Sequence, residues 1–229
     1  MSLPDSRGVF ITFEGGEGAG KSTQVARLAR TLRARRSVVT TREPGGSPRA
    51  EEIREALLAG VAKPYGPFAE ALLFSAARID HLDHLIRPAL RAGEIVLCDR
   101  FMDSTRAYQG AAGGLDPDAV AALERVVVGG TRPDLTLILD LAPETGLARA
   151  RARAAGQGAS APDRFEAEAL AFHARLRAAF REIAEAEPAR CVLIEAAGTA
   201  EAVEAAVRRA VAARLPGLLA PDAERVDAA

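Results

Sequence analysis

Val9-Phe10-Ile11-Thr12-Phe13-Glu14-Gly15-Gly16-Glu17-Gly18-Ala19-Gly20-Lys21-Ser22 is the stretch that decides the fold. Its first part, Val9–Glu14, is a short run rich in β-branched and aromatic side chains, which predicts a buried strand. The glycines behind it match G-x-x-x-x-G-K-[ST], and Lys21–Arg35 reads on as a helix with Val25, Leu28 and Leu32 on one face. Glycines in such a strand-to-helix loop let successive backbone N–H groups turn inward, and the helix start adds the positive end of its dipole. The result is a cradle for phosphate. Gly15, Gly16, Glu17, Gly18, Ala19, Gly20, Lys21, Ser22 and Thr23 are therefore expected to surround a nucleoside triphosphate. Lys21 would reach its β- and γ-phosphates and the Ser22 hydroxyl would ligate Mg²⁺. Lysine occurs only at Lys21 and Lys63 in a chain whose Lys+Arg count is 30, so a lysine at this spot is more informative than usual.

Working outward, strand-like and helix-like segments alternate. Further strands are predicted at Ser37–Thr41, Glu94–Cys98, Asp134–Asp140 and Cys191–Ile194. Helices are predicted at Pro48–Ala59, Pro67–Arg91 with a bend or break near Pro88, Asp103–Ala112, Asp116–Val128, Pro143–Ala154, Arg164–Ala186 and Ala200–Leu215. Strands separated by helices imply an α/β fold, a five-stranded parallel sheet flanked by helices on both faces. Ligands of such sheets gather at the carboxyl ends of the strands. The expected organisation is one domain over 1–215, with a small lid at about 145–166 and a mobile tail at 216–229.

Composition narrows the partners. The chain has 229 residues, 48% hydrophobic and 27% charged, enough for one sizeable core and unlike a disordered chain. A formal net charge of −1 supplies no general basic field for nucleic acid. No apolar run is long enough to span a bilayer, and Met1 to Gly8 is polar, so neither a membrane nor a secretory signal is expected. Cys98 and Cys191 lie in apolar runs and read as buried thiols in a reducing cytoplasm.

Four further segments narrow the chemistry: Thr41-Arg42-Glu43-Pro44-Gly45-Gly46, Asp99-Arg100-Phe101, Ser104 to Gly110, and Leu72 to Arg78. Phe74 and Arg78 share a helix face at i, i+4, pairing an aromatic plane with a forked donor, as a nucleobase requires. On the residues alone, Phe74 could equally be a core ring and Arg78 a solvated one. Arg42 and Arg100 each follow a strand, so both can face one crevice and suit a second phosphate. Asp99 ends its strand, either as a Mg²⁺-ordering carboxylate or as a helix N-cap.

Together these motifs resemble the thymidylate kinases, from Val9 to about Leu215. The resemblance implies a nucleoside monophosphate kinase-like P-loop fold. It implies a cytoplasmic, homodimeric transferase that uses ATP and Mg²⁺ to convert dTMP to dTDP on the way to dTTP. Another P-loop nucleoside monophosphate or small-molecule kinase is the alternative. By the same resemblance Phe74 stacks on thymine, Arg78 bonds its O4, and Arg42 holds the acceptor phosphate. Arg100 bridges donor and acceptor, and Glu17 accepts from the deoxyribose 3′-OH. Ser104, Thr105, Tyr108, Gln109 and Pro44 would line the base and sugar pocket, with Tyr108 crowding the 2′ position.

No general base is needed, because the attacking phosphate oxygen has a second pKa of about 6. His81, His84 and His173 are accordingly read as surface or structural. Catalysis is then positioning and charge neutralisation by Lys21, Asp99, Arg100 and a lid arginine. The cradle itself carries no arginine, which resembles the bacterial subtype with its arginine in the lid. Arg153 is the expected residue, with Arg149 and Arg164 as the other choices.

Overall fold

The computed structural model describes residues 7–156, 165 and 168–219. Five parallel strands form one sheet in the order β2-β3-β1-β4-β5: β1 Val9–Gly15, β2 Val38–Arg42, β3 Ile95–Asp99, β4 Leu135–Asp140 and β5 Cys191–Glu195. β1 is central, with Thr12 opposite both Cys98 and Thr136, and every one of its residues is buried. Full burial is why it reads as an apolar run and not as an alternating strand. Its side chains still alternate by face. Val9, Ile11 and Phe13 pack with helices α1 (Lys21–Arg33) and α9 (Ala200–Arg214), through Leu28, Val207 and Val211. Phe10 packs on the other face with Val96, Phe101, Leu82 and Ile86. Fully burying one such Phe or Leu stabilises the fold by roughly 1.5–3 kcal/mol.

The remaining helices are α2 Pro48–Leu58, α3 Gly66–His81, α4 Arg87–Arg91, α5 Met102–Thr105, α6 Pro117–Val127, α7 Pro143–Gly156 and α8 Leu170–Ala186. Three differ from the sequence expectation. Pro67–Arg91 is interrupted by a π turn at Leu82–Ile86 between α3 and α4. Pro88 has no N–H to give the carbonyl of His84, and its ring crowds the preceding turn, so the helix widens just before it. The segment after Asp99 also changes, from the short α5 to a π-helical stretch at Arg106–Ala112. Finally, α8 starts at Leu170 and not at Arg164, because Ala169 is extended (φ −62°, ψ 152°). Upstream, the Phe165 ring meets Tyr108 at 5.6 Å and Phe74 at 6.2 Å.

Of the segment expected to be mobile, Leu218 is buried against the α1–α9 side of the core beside Leu215, whereas 220–229 lie outside the described residues. The lid range 145–166 begins as α7, and Arg164 lies outside the described residues.

A polar seam crosses the second face of the sheet. The hydroxyls of Thr12 and Thr136 share a hydrogen bond of 2.8 Å. Arg190 donates to Asp103 Oδ1 and Oδ2 at 2.9 and 2.7 Å, and to the Thr136 hydroxyl at 2.6 Å. Arg106 joins the cluster through Asp103, Glu124 and Glu187. Asp103 is fully buried, so removing its carboxylate takes away both of its bonds to Arg190, which keeps Glu187 and the Thr136 hydroxyl. Asp103→Ala is expected to cost about 3–5 kcal/mol. Urea unfolding should show a lower midpoint with the slope retained, and an unchanged midpoint would contradict the bridge.

Candidate active site

β1 ends in the loop Gly16–Gly20, which turns into α1. Gly15 has φ +130°, and a Cβ there would lie 2.4 Å from the Leu139 carbonyl oxygen. Gly18 has φ +65°, and its Cβ would lie 2.0 Å from the Gly146 carbonyl oxygen. Both positions thus need glycine on conformational and spatial grounds. α1 starts from Gly20 with no acidic residue in its first turn, leaving its N–H groups and dipole to an anion. Lys21 is buried and donates from Nζ to the carbonyls of Gly15 (3.1 Å) and Gly16 (2.8 Å). Burial, and after it Arg100, brings its pKa down to about 8. The Ser22 hydroxyl donates to Asp99 Oδ2 at 2.5 Å. Asp99 is not an N-cap, since Phe101 occupies that place before α5. Two hard oxygens side by side at a helix N-terminus suit Mg²⁺, which keeps waters and phosphate oxygens for its other positions.

Arg100 follows β3 with φ +69°, in the left-handed region that non-glycine residues seldom occupy. It is held there by Arg100 N donating to the Phe13 carbonyl (2.9 Å), and by its Nη1 donating to the Gly15 carbonyl (3.0 Å). Its Nη2 donates to Glu17 Oε1 at 2.7 Å, and the Tyr108 hydroxyl donates to the same oxygen at 2.6 Å. Burial raises the Glu17 pKa, but Arg100 and then Lys21 outweigh it and hold this carboxyl down to about 2. Glu14, fully buried, accepts from Phe101 N (2.8 Å), Ser104 N (3.2 Å) and Ser104 Oγ (2.6 Å). Burial, helped by Asp103, pushes its pKa up.

A cavity of about 380 Å³ opens between these groups. Lys21, Ser22, Asp99 and Arg100 line its phosphate end, with Glu17, Gly18, Gly20 and Thr23. Arg42 stands on its rim, where Nη2 donates to Glu51 at 3.0 and 3.1 Å. Phe74, Pro44, Thr105, Tyr108 and Gln109 form the far wall, and Ser104 joins the two ends. Gly16 and Ala19 belong to the loop but not to this lining. Arg78 sits just behind the wall, 4% exposed, bonded to Glu43, Thr105 and the Phe101 carbonyl.

The lid arginines separate. Arg153 lines the cavity. Arg149 donates to the carbonyls of Ala196 and Ala197, both at 3.0 Å, so its head lies on the loop between β5 and α9. His84 is exposed, whereas His81 and His173 are buried.

Glu43, Arg54, Leu58 and Phe165, which the sequence motifs do not single out, also line the cavity. Arg54 donates to the Pro44 carbonyl at 2.8 Å. Arg54 and Leu58 stand four apart on α2, and Glu43 lies inside the motif already quoted, so both signals were present. A larger hollow of about 760 Å³ between Arg106–Ala112 and α6 contains none of the loop residues, and its Arg106 and Arg132 are already paired with Glu124 and Glu187.

This geometry sets a phosphate cradle and a ring-walled pocket on one cleft, as expected for transfer between two nucleotides. Comparison with known proteins agrees. A family model described as thymidylate kinase matches residues 13–207. The thymidylate kinase of Rhodopseudomonas palustris (strain ATCC BAA-98 / CGA009) is 58% identical over 211 residues, 91% of this chain and 90% of that protein. That of Bradyrhizobium diazoefficiens is 56% identical over 210 residues, 91% of each. The crystal structure of thymidylate kinase from Ehrlichia chaffeensis superposes with a TM-score of 0.71 at 33% identity, covering 90% of this chain and 98% of that one. The chain belongs to the thymidylate kinase family.

Proposed function

We propose that this chain transfers the γ-phosphoryl group of ATP to dTMP, giving dTDP and ADP. The observation that carries the reading is the cleft in which Lys21 and Arg100, side by side at its phosphate end, face a ring-lined pocket. An oxygen of the dTMP phosphate attacks the γ-phosphorus. The bond from that phosphorus to the β,γ-bridging oxygen breaks, and its electron pair leaves with ADP. The nucleophile is already ionised near neutral pH, so the residues act by charge and position.

The loop N–H groups and Lys21 hold the donor phosphates, and releasing the Gly15 and Gly16 carbonyls frees Lys21 to do so. Ser22 and Asp99 would hold Mg²⁺, which when bound offsets phosphate charge. Arg42 takes the acceptor phosphate, Arg100 bridges donor and acceptor, and Arg153 closes on the migrating phosphoryl group, as in the lid-arginine subtype. Phe74 stacks on the base while Arg78 donates to its O4. Glu17, kept charged, accepts from the 3′-OH, and Tyr108 occupies the space a 2′-OH would need. Cytoplasmic residence fits two buried free thiols, Cys98 and Cys191. Homodimer formation is supported by Phe68, Leu72 and Ile79, which stand 45–47% exposed along α3.

Three outcomes follow. Coupled ADP-release assays should show turnover with dTMP, and Lys21→Ala should abolish it with an unchanged circular dichroism spectrum; turnover on AMP but not dTMP would overturn the assignment. Arg153→Ala should lower kcat by about 10³-fold or more while KM for dTMP moves only a few-fold. A change in KM alone would place Arg153 in ground-state binding. The acid limb of kcat/KM for dTMP should fall below pH of about 6 with protonation of the substrate phosphate. Glu17 stays ionised far below that, at about 2, so Glu17→Gln should lower kcat/KM without moving the limb. A displaced limb would make Glu17 the titrating group.

A further inference from the structure

A chain of hydrogen bonds runs from Thr41 through buried His81 and the cavity-lining Glu43 to Arg78 behind the base wall, and has no part in phosphoryl transfer. The Thr41 hydroxyl lies 2.7 Å from His81 Nε2, and His81 Nδ1 lies 3.0 Å from Glu43 Oε1. Arg78 Nε donates to the other oxygen, Glu43 Oε2, at 2.7 Å. The side chains of His81, Glu43 and Arg78 are 0%, 4% and 4% exposed. A carboxylate only accepts, so His81 Nδ1 carries the proton; in the neutral ring Nε2 then accepts from the Thr41 hydroxyl. Glu43 and Arg78 balance one another in charge.

The chain fixes a direction. With Arg78 alone as partner, the Glu43 carboxylate could turn about its last torsion. The second donor, on a rigid ring, pins its plane and with it the Nε edge of Arg78. The guanidinium also donates from Nη1 and Nη2 to Thr105 Oγ1, both at 3.2 Å, and from Nη2 to the Phe101 carbonyl at 3.1 Å. Among the described residues four of its five N–H groups are thus committed, leaving one, on Nη1 beside the cavity-lining Thr105, for a ligand. The loop after β2 is shaped around this chain. At Gly46 (φ +89°) a Cβ would lie 2.5 Å from His81 Nε2 and 2.4 Å from Thr41 Oγ1.

We propose that His81 is a positioning residue for base selection: acting through Glu43, it sets how Arg78 presents its remaining donor to the nucleobase. This rests on the reading above that Arg78 donates to O4 of the base. A pyrimidine with an amino group in place of that oxygen meets a donor with a donor, so the penalty depends on how firmly Arg78 is held.

The test uses the full chain with ATP and either dTMP or dCMP as acceptor, and reads the ratio of the two kcat/KM values. His81→Ala should raise KM for dTMP about tenfold, lower the ratio at least tenfold, and leave KM for ATP unchanged. His81→Asn, whose amide N–H can replace Nδ1, should restore the ratio to within threefold of the parent. If His81→Ala does not fold, Thr41→Val keeps the ring and removes its Nε2 partner; a threefold or greater loss in the ratio is expected. An unchanged ratio in the folded variant, whatever its melting temperature, overturns the proposal and leaves His81 a core residue. Arg78→Met separates the two levels. If it too leaves the ratio unchanged, base reading by Arg78 fails; if it collapses the ratio while His81→Ala does not, only the role of His81 fails.

Discussion

The contact between Arg100 and Glu17 is the constraint on which the cleft depends. A cradle built to attract phosphate also concentrates positive charge, from the α1 dipole, Lys21 and Arg100, and those charges repel one another when no nucleotide is present. Lys21 feels this directly, since Arg100 adds to the burial that lowers its pKa. A carboxylate inside a phosphate loop looks misplaced on the sequence alone. Here Glu17 supplies the missing anion at 2.7 Å from Arg100, and the Tyr108 hydroxyl steadies the same oxygen. The left-handed backbone of Arg100 belongs to this arrangement. It turns the side chain back across the end of β1, so that the residue after one strand reaches the loop after its neighbour.

Behind that first contact, buried polar groups hold the elements that carry the site. Glu14, the residue before the cradle, accepts from the backbone of Phe101 and Ser104 and so ties the end of β1 to the start of α5. Asp103, on the same short helix, is gripped by Arg190 from the start of β5. The segment with Ser104, Thr105, Tyr108 and Gln109 is therefore fixed at its root on two strands. Buried charge of this sort contributes little net stability against an apolar alternative, yet half of a pair left behind is costly. Its return is placement, because a phosphate and a base must meet their partners within a fraction of an ångström.

The strands and the cradle were legible because their signals are local: the apolar run Val9–Glu14 meets glycines, then a lysine, whereas the strand order β2-β3-β1-β4-β5 was not. That Phe74 and Arg78 share a helix face was legible through helical spacing, but not that Phe74 lines the cavity while Arg78 is buried behind it. What escaped depends on contacts far apart in the chain. Nothing near His81 announces Glu43, 38 residues away, or Thr41, 40 away. Arg190 and Asp103 are 87 apart. Phe165 meets Tyr108, a ring on another element. The π turn before Pro88 is intermediate, since the proline marks a break but not that the helix answers by widening.

The different placements of Arg149 and Arg153 have a geometric reason beyond side-chain rotation. α7 is rooted on the cradle itself. Gly146 and Gly18 approach so closely that a Cβ on Gly146 would lie 2.2 Å from the Glu17 carbonyl oxygen, and one on Gly18 would lie 2.0 Å from that of Gly146. Residues seven apart return to nearly the same helix face, about 20° off, and about 10 Å further along the axis. Arg153 stands seven residues beyond Gly146, so it rises from the face that touches the phosphate loop and leans over the cleft. Arg149, three beyond Gly146, emerges one turn lower and meets the loop between β5 and α9 instead. Two glycines that appear to serve only the backbone thus set the register by which one arginine of the row reaches the cleft, while the other ends on the loop between β5 and α9.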